Sequence, residues 1–146
     1  MKRLALLTIL FVFYAGSAQE LKKNLETGKV EYIEIVEEPR DIPTLQKRLS
    51  ELGYKNIAAQ TASVKGRGLV NEEVPGFVVE ITYDAILETK DSRYRISIEN
   101  VTVKDKMGIH DLEDMGGFQK KWIKILNSKM PEIITKIKSK SSAKDW

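Results

Sequence analysis

The sequence predicts an α+β fold of two layers, with an antiparallel sheet covered on one face by two helices in the order β-α-β4-α. Three observations carry this. Residues 77–105 alternate apolar and polar side chains across a central break, as a sheet with one buried face requires. Phe118, Trp122, Ile125, Leu126, Met130, Ile133, Ile134 and Ile137 fall on one helical stripe. A shorter stripe, Ile42, Leu45, Leu49 and Leu52, marks a second helix upstream. Sheet and helices each have one apolar side, and stacking them buries all three.

Taken in order, residues 19–29 are polar without a clear period and read as a flexible lead-in. Val30 to Val36 is rich in β-branched and aromatic residues and reads as the first strand. Asp41 can cap the first helix, with Pro43 in its opening turn and Gly53 as its stop. Ile57 to Val64 reads as a strand and Leu69-Val70 as a short one. Lys65-Gly66-Arg67-Gly68 between them is expected to form the corner of a hairpin. Asn71 to Gly76, with Pro75-Gly76, reads as a turn. In the long hairpin that follows, Asp91-Ser92 forms the tip, which sets Glu88 opposite Arg95. The apolar parity changes at Val101 and Val103, so a bulge is expected near Asn100. Met107 to Gly117 is irregular and acidic. The last helix starts near Phe118, with Pro131 either kinking it or splitting it, and residues 139–146 read as a flexible tail. The single domain spans residues 30–138.

The chain opens with Lys2 and Arg3, an apolar run from Leu4 to Ala15, and the small residues Gly16-Ser17-Ala18. That is the pattern of a cleaved export signal over residues 1–18, and the run is shorter than the roughly 20 residues of a spanning helix. The expected location is therefore periplasmic or extracellular. Cleavage would take two cations with it, leaving 22 Lys+Arg against 21 Asp+Glu. The remaining charge is uneven, net −5 over residues 19–117 and +6 over 118–146. There is no cysteine, which excludes disulfides, thiolate metal sites and thiol nucleophiles.

The K-G-R-G of residues 65–68, the hairpin segment S-R-Y-R-I-S-I-E-N at 92–100 and the closing F-Q-K-K-W together resemble a family of small exported bacterial proteins. That family is a domain of unknown function with a fold similar to the TATA-binding protein (TBP-like). The resemblance covers about residues 30–138 and implies the β-α-β4-α topology. It implies no activity, cofactor or catalytic residue, and a shared fold does not by itself confer DNA binding.

Candidate sites are few. K-G-R-G lacks the spacing and setting of a phosphate loop. His110-Asp111-Leu112-Glu113-Asp114 could hold a divalent cation, but no second histidine exists, and acidic residues before a helix also suit its positive end. No G-x-S-x-G or H-E-x-x-H motif occurs, and nothing places Ser97 beside His110. Asn100-Val101-Thr102 matches a glycosylation acceptor, which matters only in a eukaryotic secretory route. The open face of the long hairpin is the remaining candidate, a partner-facing surface of Thr82, Asp84, Glu88, Arg95, Ser97 and Glu99. Its carboxylates outnumber its one arginine, which disfavours nucleic acid. The sequence thus points to an exported, non-enzymatic binding module without cofactor or metal, whose partner is an envelope protein or glycan. The alternatives are a cystatin-like peptidase inhibitor, whose loop Val64-Lys65-Gly66 would imitate, and an unrecognised hydrolase.

Overall fold

The computed structural model describes residues 20–139. The leader, Gln19 and the tail beyond Ser139 lie outside the described residues. The strands are β1 (Lys22–Lys23), β2 (Val30–Val36), β3 (Lys55–Ala59), β4 (Ser63–Val74), β5 (Phe77–Lys90), β6 (Arg93–Asp105) and β7 (Gly108–Asp111). Helix α1 (Ile42–Glu51) lies between β2 and β3, and α2 (Gln119–Lys138) closes the chain after two short 3-10 turns. The strands form one antiparallel sheet in the order β1-β2-β6-β5-β4-β3, with β7 also paired to β6. None of the described helices is long and apolar enough to cross a membrane.

Local chemistry explains the elements. The Asp41 carboxylate accepts the Thr44 N–H at 2.9 Å, capping α1, and Gly53 takes a positive φ of 84° after it. Pro75-Gly76 links β4 to β5 as a two-residue turn, with Val74 paired to Phe77. Asp91 and Ser92 both adopt positive φ at the tip between β5 and β6, as a type I′ turn requires, and Glu88 meets Arg95 as expected. The bulge falls at the expected place. Thr82 pairs with Thr102 and Asp84 with Glu99, so Tyr83 faces both Asn100 and Val101, with Asn100 at φ 51°.

The core lies between the sheet and the helices. From the sheet come Tyr32, Val64, Val79, Ile81, Tyr83, Leu87, Tyr94, Ile96, Ile98, Val101 and Val103, and from the helices Leu45, Leu49, Trp122, Leu126, Met130, Ile134 and Ile137. Helix α2 runs unbroken through Pro131. Its carboxyl end is held by two arginines, Arg40 donating to the Lys138 carbonyl at 2.7 Å and Arg48 to that of Lys136 at 2.7 and 2.9 Å. These donors satisfy carbonyls that a helix end leaves unpaired.

Several expectations change: Asn71 to Val74 continue β4, which leaves only Pro75-Gly76 as the turn, and Ile57 to Val64 is split between β3 and β4. K-G-R-G is no corner: all four residues lie inside β4, and the corner is at Gln60–Ala62, where the Gln60 N–H reaches the Ser63 carbonyl at 2.7 Å. Residues 20–29 are pinned, because Leu21 is buried and its N–H and carbonyl bind the Asn127 side chain at 2.7 and 3.1 Å. The irregular acidic stretch contains β7. Phe118 precedes α2 and is 68% exposed, so the apolar stripe begins at Trp122.

Candidate functional site

The open face of the sheet is organised around Arg67, a residue of the K-G-R-G stretch. Alternation along β4 turns Val64, Gly66 and Gly68 toward the core and Lys65 and Arg67 away from it. Gly66 and Gly68 are glycines because the space above them is taken. A Cβ at Gly68 would stand 2.6 Å from Oη and 2.7 Å from Cε2 of Tyr83, and one at Gly66 would stand 3.1 Å from Tyr54 Cβ. Tyr83 in turn meets Tyr54 edge to face, ring centres 5.9 Å apart, with hydroxyls 2.8 Å apart. Burial raises the pKa of both phenols, so they stay protonated and hydrogen-bonded.

On the opposite side of the same strand the Arg67 guanidinium spans three strands. It donates to Asp84 Oδ1 at 3.1 Å, the Asn100 carbonyl at 2.7 Å, Thr82 Oγ1 at 2.8 Å and Thr102 Oγ1 at 3.1 Å. Thr82 and Thr102 also share a hydrogen bond with each other. The second oxygen of Asp84 accepts from Asn100 Nδ2 at 2.8 Å and lies 3.6 Å from the Lys65 ammonium. The bulge makes this possible, because the left-handed Asn100 presents both its carbonyl and its amide to this face. A planar fork with five donors suits such a set of acceptors, and a lysine would not.

Five of the six residues singled out from the sequence fall into two groups, and Ser97 joins neither. Thr82 and Asp84 belong to the Arg67 network, and Glu99 sits opposite Asp84 in the β5–β6 register. Glu88 and Arg95 form a surface ion pair at 2.7 Å. Asp84 and Ser97 are only 7% and 8% exposed, so they lie beneath the face and offer a partner almost no contact area. The acidic count also changes. Read with β4 included, the face pairs Asp84 with Lys65 and Arg67, Glu88 with Arg95, and Glu80 with Lys104 at 3.7 Å. The sequence reading missed Arg67, Lys65, Asn100 and Thr102 as members. The signal was present in the period-2 run from Ser63 to Val74, which the two glycines obscured. Beside the network, Asn56, Ala58, Gln60, Ser63, Lys65, Arg67, Asp84 and Ile86 line a shallow cleft of roughly 520 Å³.

The other candidates stay apart from this face. His110 Nε2 lies 3.2 Å from Asp105 Oδ1, and the Met107 N–H, then His110, hold that carboxyl below its usual pKa. Among the described residues no three His, Asp or Glu side chains converge to hold a metal. His110 pairs with Val103, six positions along β6 from Ser97 and so roughly 20 Å away. Val64-Lys65-Gly66 lies within β4, near its start, so these residues form no inhibitor-like loop.

No protein-family model matches the chain, and no curated protein matches it. Solved structures do. A TBP-like protein from Parabacteroides distasonis superposes with a TM-score of 0.55 at 12% identity, covering 82% of this chain and 99% of its own. A DUF4468 family protein from Bacteroides ovatus gives 0.55 at 9% identity, covering 84% and 92%. At such identities the likeness speaks for architecture alone, and the chain has a TBP-like fold.

Proposed function

We propose that this protein is an exported, non-enzymatic binding module of the cell envelope, meeting an envelope protein or glycan through the open face of its sheet. The observation that carries the reading is the composition of that face. A polar lattice, satisfied internally around Arg67, holds the surface in one shape, and the aliphatic side chains of Ile33, Ile35, Leu69 and Val78 stand exposed around it. A surface fixed before the encounter loses less entropy on binding. Half-exposed aliphatic groups supply the area whose burial favours association. Nucleic acid fits less well. Lys65, Arg67, Arg95 and Lys104 are each paired with a carboxylate, and a phosphate would have to displace that partner.

The test has two parts. Fractionation with mass measurement of the mature amino terminus should find a chain starting at Gln19 outside the cytosol. The mature protein and a variant carrying Leu69→Ser, Glu88→Ala and Arg95→Ala are then used as baits in envelope extract. The variant should lose partners that the wild type retains, and an identical set would overturn the reading.

A further inference from the structure

We propose that the cleft beside Arg67 binds an acidic glycan, with the carboxylate of a sugar acid at Lys65 and sugar hydroxyls at Asn56, Gln60 and Ser63. This deepens the binding-module reading and rests on it.

The cleft is built by an irregular edge of the sheet. Strands β3 and β4 pair as Lys55 with Arg67 and Ala58 with Lys65, so Asn56 and Ile57 together face Gly66. Ile57 packs on the core side, where a Cβ on Gly66 would stand 3.4 Å from its Cγ1, and Asn56, at φ 53°, lines the cleft. Arg67 thus has a left-handed asparagine at a register break on either side, Asn56 on β3 and Asn100 on β6. The Asn100 amide is committed to Asp84, whereas the Asn56 amide has no partner among the described residues. The same holds for the Gln60 amide and the Ser63 hydroxyl, which flank the corner between β3 and β4 and also line the cleft. Ala58 and Ile86 add apolar wall. The volume of roughly 520 Å³ falls within the range of ligand sites, about 300–1,000 Å³.

The charges select an anion. Asp84 is already matched, since Arg67 donates to one oxygen at 3.1 Å and Asn100 to the other at 2.8 Å. Lys65 lies 3.6 Å from that carboxylate, beyond hydrogen-bond distance, and its side chain is 54% exposed. Nearby, Glu88 is held by Arg95 at 2.7 Å. Glu99 lies beyond Asp84 on β6, and the exposed Lys55, in register with Arg67, offsets its charge. One positive charge is left over, at Lys65. A carboxylate that reaches it displaces nothing, because Asp84 keeps Arg67 and Asn100. A row of phosphates would need Arg67 and Arg95 as well, and both are paired.

The uncommitted groups select a sugar. Amides and hydroxyls offer donors and acceptors together, as the neighbouring hydroxyls of a sugar do. A phosphate or sulfate only accepts, and would leave the carbonyl oxygens of Asn56 and Gln60 unmatched. The cleft is shallow and lies on the open face, so a bound sugar can keep its links to a longer chain.

The experiment uses the chain from Gln19 with trimers of galacturonate and of mannuronate, their methyl esters, the free sugar acids and inorganic phosphate. In NMR titrations one of the trimers should shift the side-chain amide signals of Asn56 and Gln60 and the backbone amide of Lys65. It should bind about tenfold or more tightly than its ester and than the free acid. Lys65→Met leaves Asp84 with Arg67 and Asn100, and Asn56→Gly keeps the left-handed backbone, so both should fold, and each should weaken trimer binding about fivefold or more. No binding of either trimer, equal binding of ester or phosphate, shifts confined to other parts of the molecule, or binding untouched by both variants would overturn the inference. A free acid that binds as tightly as its trimer would overturn the assignment to a glycan. Leu69, Glu88 and Arg95 do not line the cleft, so the extract experiment reads the underlying proposal separately. If the face variant loses envelope partners while neither trimer binds, this inference alone fails; if the face variant loses none, the underlying reading has failed whatever the trimers do.

Discussion

Replacing Gly68 with alanine tests the placement of K-G-R-G most directly. The backbone there is extended, so alanine meets no φ penalty, and only space matters. The new methyl would lie 2.6 Å from Tyr83 Oη and 2.7 Å from Cε2, against an ordinary contact of about 3.5 Å or more. The ring must retreat by about 1 Å, yet Tyr83 is buried and bonded to Tyr54 at 2.8 Å. Overpacking of this kind costs about 1–3 kcal/mol, and the lost hydrogen bond about 1 kcal/mol. The lower entropy of an unfolded chain with alanine offsets about 0.5–1 kcal/mol. The net is a destabilisation of about 2 kcal/mol, read by urea unfolding as a lower midpoint, or as a melting temperature lower by roughly 8 °C. Gly66→Ala is the control. Its methyl would lie 3.1 Å from Tyr54 Cβ and 3.3 Å from Leu49 Cδ1, contacts that relax by a few tenths of an ångström, so its net cost should stay under about 1 kcal/mol. In Gly68→Ala/Tyr83→Leu the two costs should be less than additive, because the smaller side chain removes the clash. Equal stability of Gly68→Ala and wild type, or a larger cost for Gly66→Ala, would refute the packing argument and return these residues to a loop.

Arg67→Ala should destabilise by about 2–3 kcal/mol in urea unfolding, because a nearly buried Asp84 loses its closest cation, and Arg67→Lys should recover less than half of that. Asn100→Gly keeps the left-handed backbone and loses only the amide bond to Asp84, about 1 kcal/mol, whereas Asn100→Val adds about 1–2 kcal/mol of backbone strain, which the same unfolding curves would separate. Arg48→Ala should cost about 1 kcal/mol and speed amide exchange in the last turn of α2, since it leaves the Lys136 carbonyl with the Ser139 hydroxyl in place of three donors. The phenols of Tyr32, Tyr54, Tyr83 and Tyr94 all have pKa values raised above the ordinary 10.0, chiefly by burial. Their stabilisation is complete below pH 10 and is lost as pH rises above it, because the unfolded chain releases protons that the folded one keeps. Phenolate absorbance should therefore appear together with loss of circular dichroism, and a smooth titration near pH 10 with the fold intact would contradict this burial.

The hairpin from Phe77 to Asp105 was legible because its information is local. Period-2 alternation fixes the faces, Asp91-Ser92 supplies the positive φ of the tip, and the parity change at Val101 reports the bulge. The helices were legible for the same reason, through Asp41, Gly53 and the stripe from Trp122 to Ile137. K-G-R-G misled because glycine has two meanings. In a turn it answers to its own φ, but in β4 it answers to Tyr83, which comes from the next strand. The true corner at Gln60–Ala62 contains neither glycine nor proline and gave no signal. Once β4 is broken at Lys65, its odd-numbered residues no longer share a face with Thr82 and Asp84. The periphery of the site was therefore found and its centre was not.

That centre couples the two faces of the sheet. Tyr83 is the single residue opposite the bulged pair Asn100 and Val101, and its ring fills the space that Gly68 leaves open on the core side. On the far side the same bulge delivers the Asn100 carbonyl to Arg67, the residue between the two glycines. Bulge, glycines, tyrosine and arginine are consequently one device, and changing any member alters the bend of the sheet under the others. Ile33, Ile35, Leu69, Glu88 and Arg95 stand outside the device, on the surface it shapes. If the open face is the binding surface proposed above, those residues could change with the partner while the lattice stays fixed. A rigid centre with a replaceable rim would let that proposed surface change its specificity without changing the fold.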